Sequence, residues 1–173
     1  MSYRNKTYVA FASEDIHNYR LMTAWRANKN IDFDFTNAHD IYQARDTSTP
    51  ETIKRRLRER LNNTKQVVLL GSPAARLKGS NSSSFLAYEV GAIISLGLPV
   101  VVANLDGARR GRSGTNIPAP FADMDYFTMS VSFGPTIIKY ALDQYVPDFN
   151  SSDKTGPYHY NESVYESLGL NKK

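Results

Sequence analysis

The chain has 173 residues, with 21 basic and 17 acidic side chains for a formal charge of +4, and it contains no cysteine. The missing cysteines exclude disulfide staples, thiolate zinc sites, iron–sulfur clusters and a cysteine nucleophile, and they fit a reducing cytoplasm. The small basic excess does not by itself imply a nucleic-acid partner, and a chain of this length buries roughly 70% of its unfolded surface in a core without staples.

Met1–Thr7 carries Arg4 and Lys6, but only Tyr8–Ala12 follows before Ser13, Glu14 and Asp15, so no signal peptide is expected. Tyr8–Ala12 reads as a first strand. Asp15–Asn28 reads as a helix, with Ile16, Tyr19, Met22 and Trp25 at helical spacing. Ile31–Phe35 alternates apolar and acidic residues, which suggests a strand near the sheet edge with one wet face.

A second helix starts at Ser48-Thr49-Pro50-Glu51. Either Thr49 caps with Pro50 at the first helical position, or Ser48 and Glu51 form a capping box. Ile53, Leu57 and Leu61 then form a narrow buried stripe. Lys54, Arg55, Arg56, Arg58 and Arg60 fill the remaining face, which reads as a solvated surface with amphipathic spacing; an anionic partner is the alternative.

Gln66–Gly71 and Leu98–Leu105 are strongly apolar and read as central strands buried on both faces. Between them Ser84–Leu96 reads as a largely buried helix. The apolar run Val90–Val102 is broken by Gly91, Ser95, Gly97 and Pro99, so no membrane span is expected. Tyr126–Val131 gives a fifth strand and Pro135–Tyr145 a last helix. From Pro147 onward Asn, Ser, Asp, Gly and Tyr dominate, so we expect a domain over residues 1–146 and a tail over 147–173, packed on it by Tyr158, Tyr160, Tyr165 and Leu168.

Alternating strands and helices imply an α/β fold on a parallel sheet. The helix-to-strand returns are short, whereas Thr36–Ser48, Ser72–Ser83 and Asp106–Asp125 are long connections that all follow strands. Ligands of doubly wound sheets bind at that carboxyl edge. Phe11, Ala12, Ser13, Glu14 and Asp15 fall there after the first strand, and Asn37, His39, Asp40, Tyr42, Arg45 and Asp46 after the second. The Gly107–Gly114 loop, with Arg109, Arg110 and Arg112, resembles a phosphate cradle in composition only and reads as a flexible solvated loop.

Phe85 and Glu89 lie four apart on one face of the third helix. Glu89 is the one acid in an otherwise apolar helix, so it is paired, exposed or functional. His17, His39 and His159 lack metal-ligand spacing, so no metal is expected. A Gly-x-Ser-x-Gly nucleophile elbow is also missing.

The series Tyr8-Val-Ala-Phe-Ala-Ser-Glu-Asp15, Val67-Val-Leu-Leu-Gly-Ser72 and Ser82-Ser-Ser-Phe-Leu-Ala-Tyr-Glu89 resembles TIR domains, most closely the ThsB proteins of the Thoeris antiphage system. In TIR domains a catalytic Glu lies in a Ser-x-x-Trp-x-x-x-Glu pattern on the third helix. Here Ser82 starts that pattern, Phe85 replaces its Trp and Glu89 supplies the acid. The resemblance covers about residues 5–145 in element order and implies a flavodoxin-like sandwich with a five-stranded parallel sheet in the order 2-1-3-4-5.

The same resemblance implies cleavage of the nicotinamide–ribose bond of NAD, with Glu89 catalytic. Phe11 and Phe85 would line the nicotinamide pocket. Ala12, Ser13 and nearby N–H groups would hold ribose or phosphate, and Arg45 would meet the pyrophosphate. NAD is then a substrate, and no metal or prosthetic group is required. Self-association on activation, a cyclic ADP-ribose-type product and a downstream effector that reads it complete this expectation, without membrane or nucleic-acid partners. A non-catalytic TIR-type interaction module and a nucleoside deoxyribosyltransferase-like enzyme are the alternatives.

Overall fold

The computed structural model, which describes residues 2–33, 36–37, 49–110 and 116–171, places the two apolar runs side by side at the centre of a parallel sheet. β3 (Gln66–Gly71) pairs with β4 (Val100–Asn104) from Val67↔Val100 to Gly71↔Asn104. β1 (Lys6–Ala10) and the short β2 (Thr36–Asn37) extend one side, and β5 (Thr128–Ser132) and β6 (Pro157–His159) extend the other. The order is β2-β1-β3-β4-β5-β6, with every pairing parallel.

Two expectations about the sheet are corrected. The edge strand lies at Thr36–Asn37, and Ile31, Asp32 and Phe33 fall outside it. Phe33 instead turns its ring into the core against Trp25, with centroids 5.8 Å apart. The expected five strands become six among the described residues, because the segment after the last long helix returns to the sheet and pairs with β5. The boundary drawn at residue 146 falls within a helix, α6 (Pro135–Ser151), which carries Pro147 in its interior.

Strand alternation divides the core by face. Val9, Val68, Leu70, Val101, Ala103 and Val131 pack with Tyr19 and Met22 of α1 (Ile16–Ala27) and with Ile137, Ile138 and Leu142 of α6. Tyr8, Ala10, Val67, Leu69, Val100 and Val102 pack on the opposite face with Leu57 and Leu61 of α2 (Pro50–Asn62) and with Leu86, Val90 and Ile93 of α4 (Phe85–Leu96). Tyr145 of α6 ties the two central connections: its hydroxyl accepts from Val100 N–H at 2.9 Å and donates to Phe127 C=O at 2.7 Å.

Helix starts follow their caps. Thr49 Oγ1 accepts from Thr52 N–H at 3.3 Å ahead of Pro50, and Ser84 Oγ accepts from Ala87 N–H at 3.0 Å. Gly97 ends α4 at φ 65°, a left-handed conformation that glycine adopts without strain. The long connections also hold two short helices absent from the sequence reading, α3 (Pro73–Gly79) and α5 (Ala119–Asp123). Ser72 caps α3 by accepting from Ala75 N–H at 3.0 Å. Gly79 lets the two meet: a Cβ there would lie 2.5 Å from Pro118 Cγ.

The loop reading at Gly107–Gly114 also changes. Arg109 donates to Glu162 Oε2 at 2.7 Å and to Leu170 C=O, and lies 4.2 Å from the centroid of the Tyr165 ring. It therefore pins α7 (Glu162–Ser167), whose Tyr165 is fully buried. Residues 111–115, including Arg112, lie outside the described residues.

Candidate functional site

The carboxyl ends of β1 and β3 rise beneath α2, α3 and α4, and a cavity of about 310 Å³ opens there. The turn after β1 supplies Phe11, Ala12 and Ser13 to its wall. From α2 come Ile53, Arg56, Leu57 and Arg60, a single helical face at i, i+3, i+4 and i+7. Lys78 of α3 and Ser83, Ser84, Phe85, Leu86 and Glu89 at the start of α4 close the remainder. The cap that starts α4 also fixes it to α3, because the Ser84 hydroxyl donates to Lys78 C=O.

Glu89 is buried, at 5% exposure, so the solvent-facing alternative is overturned. Its Oε1 accepts from the Tyr8 hydroxyl at 2.9 Å, while Oε2 has no hydrogen-bond partner among the described residues. Burial raises the carboxyl from its ordinary range to about 8, against a lowering by the Tyr8 hydrogen bond. In the protein alone at pH 7, Glu89 is therefore mainly the neutral acid. Tyr8 itself is pushed well above the usual phenol range, first by burial and then by Glu89.

The other expected site residues fall in different roles. Phe85 is 42% exposed, so an apolar ring stands beside the cavity opening. Phe11 contributes to the wall, but its ring stacks on Tyr19 with centroids 4.8 Å apart and belongs to the opposite core. Ser13 Oγ accepts from Lys78 Nζ at 2.8 Å, and the same ammonium lies 2.8 Å from Glu14 Oε1. Asp15, raised by burial, accepts from the Ser72 hydroxyl and joins the ends of β1 and β3. Arg45 lies outside the described residues, as do all of residues 38–48.

The arginine run of α2 divides. Arg56, exposed, and Arg60, half-buried, border the cavity, so the solvated face of α2 also forms one side of a concave site, and Lys54 stands 5.6 Å from the Tyr88 ring. Three cationic side chains thus share one concave site with a single buried acid. Sequence reasoning held an anionic partner for the run containing Arg56 and Arg60 only as the alternative, and it missed Lys78 and Tyr8 as site residues. A four-residue spacing of arginines beside the Ile53–Leu57 stripe was the available signal for the two arginines.

Residues 8–110 match the family described as Thoeris protein ThsB, TIR-like domain. The chain belongs to that family. The matched span runs from Tyr8 through β4, so it contains Glu89 and the whole cavity wall. Comparison with curated proteins yields no match. Among the described residues of this TIR-like protein, no cluster of three or more His, Asp or Glu side chains could hold a metal ion, and no helix is long and apolar enough to cross a membrane.

Proposed function

We propose that this Thoeris-type TIR-like protein cleaves the nicotinamide–ribose bond of NAD and forms a cyclic ADP-ribose-type signal, which a partner effector reads in antiphage defence. The observation that carries the reading is Glu89: a buried acid with one anchored and one unpartnered oxygen, on the wall of a cavity that also presents Arg56, Arg60 and Lys78. An interaction module has no use for a buried acid facing a cavity. A deoxyribosyltransferase substrate has no pyrophosphate, whereas the three cations suit one.

The chemistry follows from charge. NAD brings a pyridinium, and a positive charge beside Glu89 favours the carboxylate and draws off its proton. As the C–N bond breaks, its electron pair leaves with neutral nicotinamide and positive charge moves onto the ribose. The carboxylate stabilises that oxocarbenium-like centre. Capture by water gives ADP-ribose, and capture by a hydroxyl or ring nitrogen of the same nucleotide gives a cyclic isomer. The apolar wall of Ile53, Leu57, Phe85 and Leu86 limits water and favours internal capture.

The test incubates the purified chain with NAD, with and without extract from phage-infected cells, and resolves nicotinamide and nucleotide products by mass spectrometry. Release of nicotinamide with a cyclic product is expected. NAD left intact in both arms overturns the reading.

A further inference from the structure

Tyr8 sits on β1 with its side chain fully buried on the α2–α4 face, among Leu57, Leu61 and Leu86. A phenylalanine would supply the same ring to that core. The hydroxyl therefore needs its own account, since burying one without a partner is costly. It donates to Glu89 Oε1 at 2.9 Å, across 81 residues of sequence, and Oε2 is the carboxyl oxygen left without a partner. We propose that Tyr8 is a positioning residue: its hydroxyl anchors one oxygen of Glu89, so that the other stays available to a cationic ribosyl group in the cavity, and it favours the ionised form of the acid.

The proposal rests on the NAD-cleaving reading for its ligand, but its geometry does not. Both oxygens of this carboxyl are buried, but only Oε1 is hydrogen-bonded, and the donor is a single hydroxyl on β1, a strand paired on both sides. A carboxyl lacking that bond could rotate about its last torsion and lose its orientation. Donation to a carboxylate oxygen is stronger than donation to a neutral acid, so the same bond assists ionisation. The charged groups that line the cavity from other elements are Arg56 and Arg60 of α2 and Lys78 of α3, the last paired with Glu14, and removing the Tyr8 hydroxyl changes none of their charges.

The experiment follows Glu89 directly in the full chain. With glutamate side-chain carbons labelled, its carboxyl titration is read by NMR, and the resonance is assigned by its disappearance in Glu89→Gln. Tyr8→Phe is expected to raise the Glu89 midpoint by about one pH unit and to move the acid limb of kcat for nicotinamide release upward with it. Tyr8→3-fluorotyrosine, a stronger donor of the same shape, is expected to lower the midpoint, and it serves if Tyr8→Phe does not fold. A midpoint that shifts as stated while the wild type leaves NAD intact with and without infected-cell extract supports the role of Tyr8 and overturns the NAD reading alone. A midpoint unchanged by both variants, or moved in the opposite sense, overturns the role of Tyr8 whatever the activity.

Discussion

Arg109 and Glu162 meet at 2.7 Å, 53 residues apart in sequence, and the contact joins the loop after β4 to the last helix. The Arg109 side chain is only 17% exposed, and its guanidinium also donates to the Leu170 carbonyl and covers the Tyr165 ring. Charged hydrogen bonds of this kind, partly withdrawn from water, are worth more than an exposed ion pair.

Arg109→Ala is accordingly expected to destabilise the fold by about 1–3 kcal/mol. Hydrogen exchange over residues 157–170 should accelerate more than over β3 and β4. Arg109→Lys keeps the charge but loses the fork that serves both partners, so it should rescue only part of the loss. Unchanged melting and exchange in Arg109→Ala would mean that burial of Tyr165 alone holds α7.

Glu89→Gln is expected to leave the fold intact and to lower NAD turnover at least about a hundredfold, roughly 2.7 kcal/mol of transition-state stabilisation. The amide preserves size and can still accept from Tyr8, but it cannot carry the negative charge that a ribosyl cation needs. Circular dichroism confirms folding, and nicotinamide release under conditions where the wild type is active gives the answer. Wild-type rates in a folded variant would sink the mechanism.

The same substitution has a stability consequence of opposite sign. Glu89 titrates near 8 in the folded chain, against roughly 4.3 when unfolded. Between those values the unfolded chain has released a proton that the folded chain keeps, so stability falls as pH rises, and the loss is complete above the folded value. Glu89→Gln does not titrate. It should melt with the wild type near pH 4 and exceed it at pH 8.5, by on the order of 5 kcal/mol. Parallel stability curves across that range would show that the buried acid carries no such penalty.

Arg56 and Arg60 are expected to read phosphate. Replacing either by alanine should raise KM for NAD by roughly three- to tenfold with kcat little changed, the signature of uniform binding. Nicotinamide riboside, which lacks the pyrophosphate, should show no such change. Equal damage with both substrates would remove the arginines from phosphate recognition and return them to packing.

Much of the framework was legible in the chain because its signals are local. Val67–Leu70 and Val100–Val102 are too uniformly apolar to be anything but doubly buried strands, and the caps at Thr49 and Ser84 mark helix starts by their own side chains. Glu89 stood out as a lone acid on an apolar helix, and the short motifs around Ser13 and Glu89 carried the TIR resemblance. The missed helix α3 had a local signal too, since Ser72-Pro73 repeats the cap-then-proline pattern of Thr49-Pro50.

Other features depend on which residues the sheet brings together. Pairing of β6 with β5 requires long α6 to end beside an open strand edge, and nothing in the tail's polar composition announces that. Arg56 and Arg60 read like their exposed neighbours until α2 is docked at the rotation that turns them to the cavity. The protonation of Glu89 is decided the same way. Sequence places a carboxyl on the helix, but its affinity for a proton is raised by burial and lowered by a Tyr8 hydroxyl that only strand β1, folded against α4, can deliver.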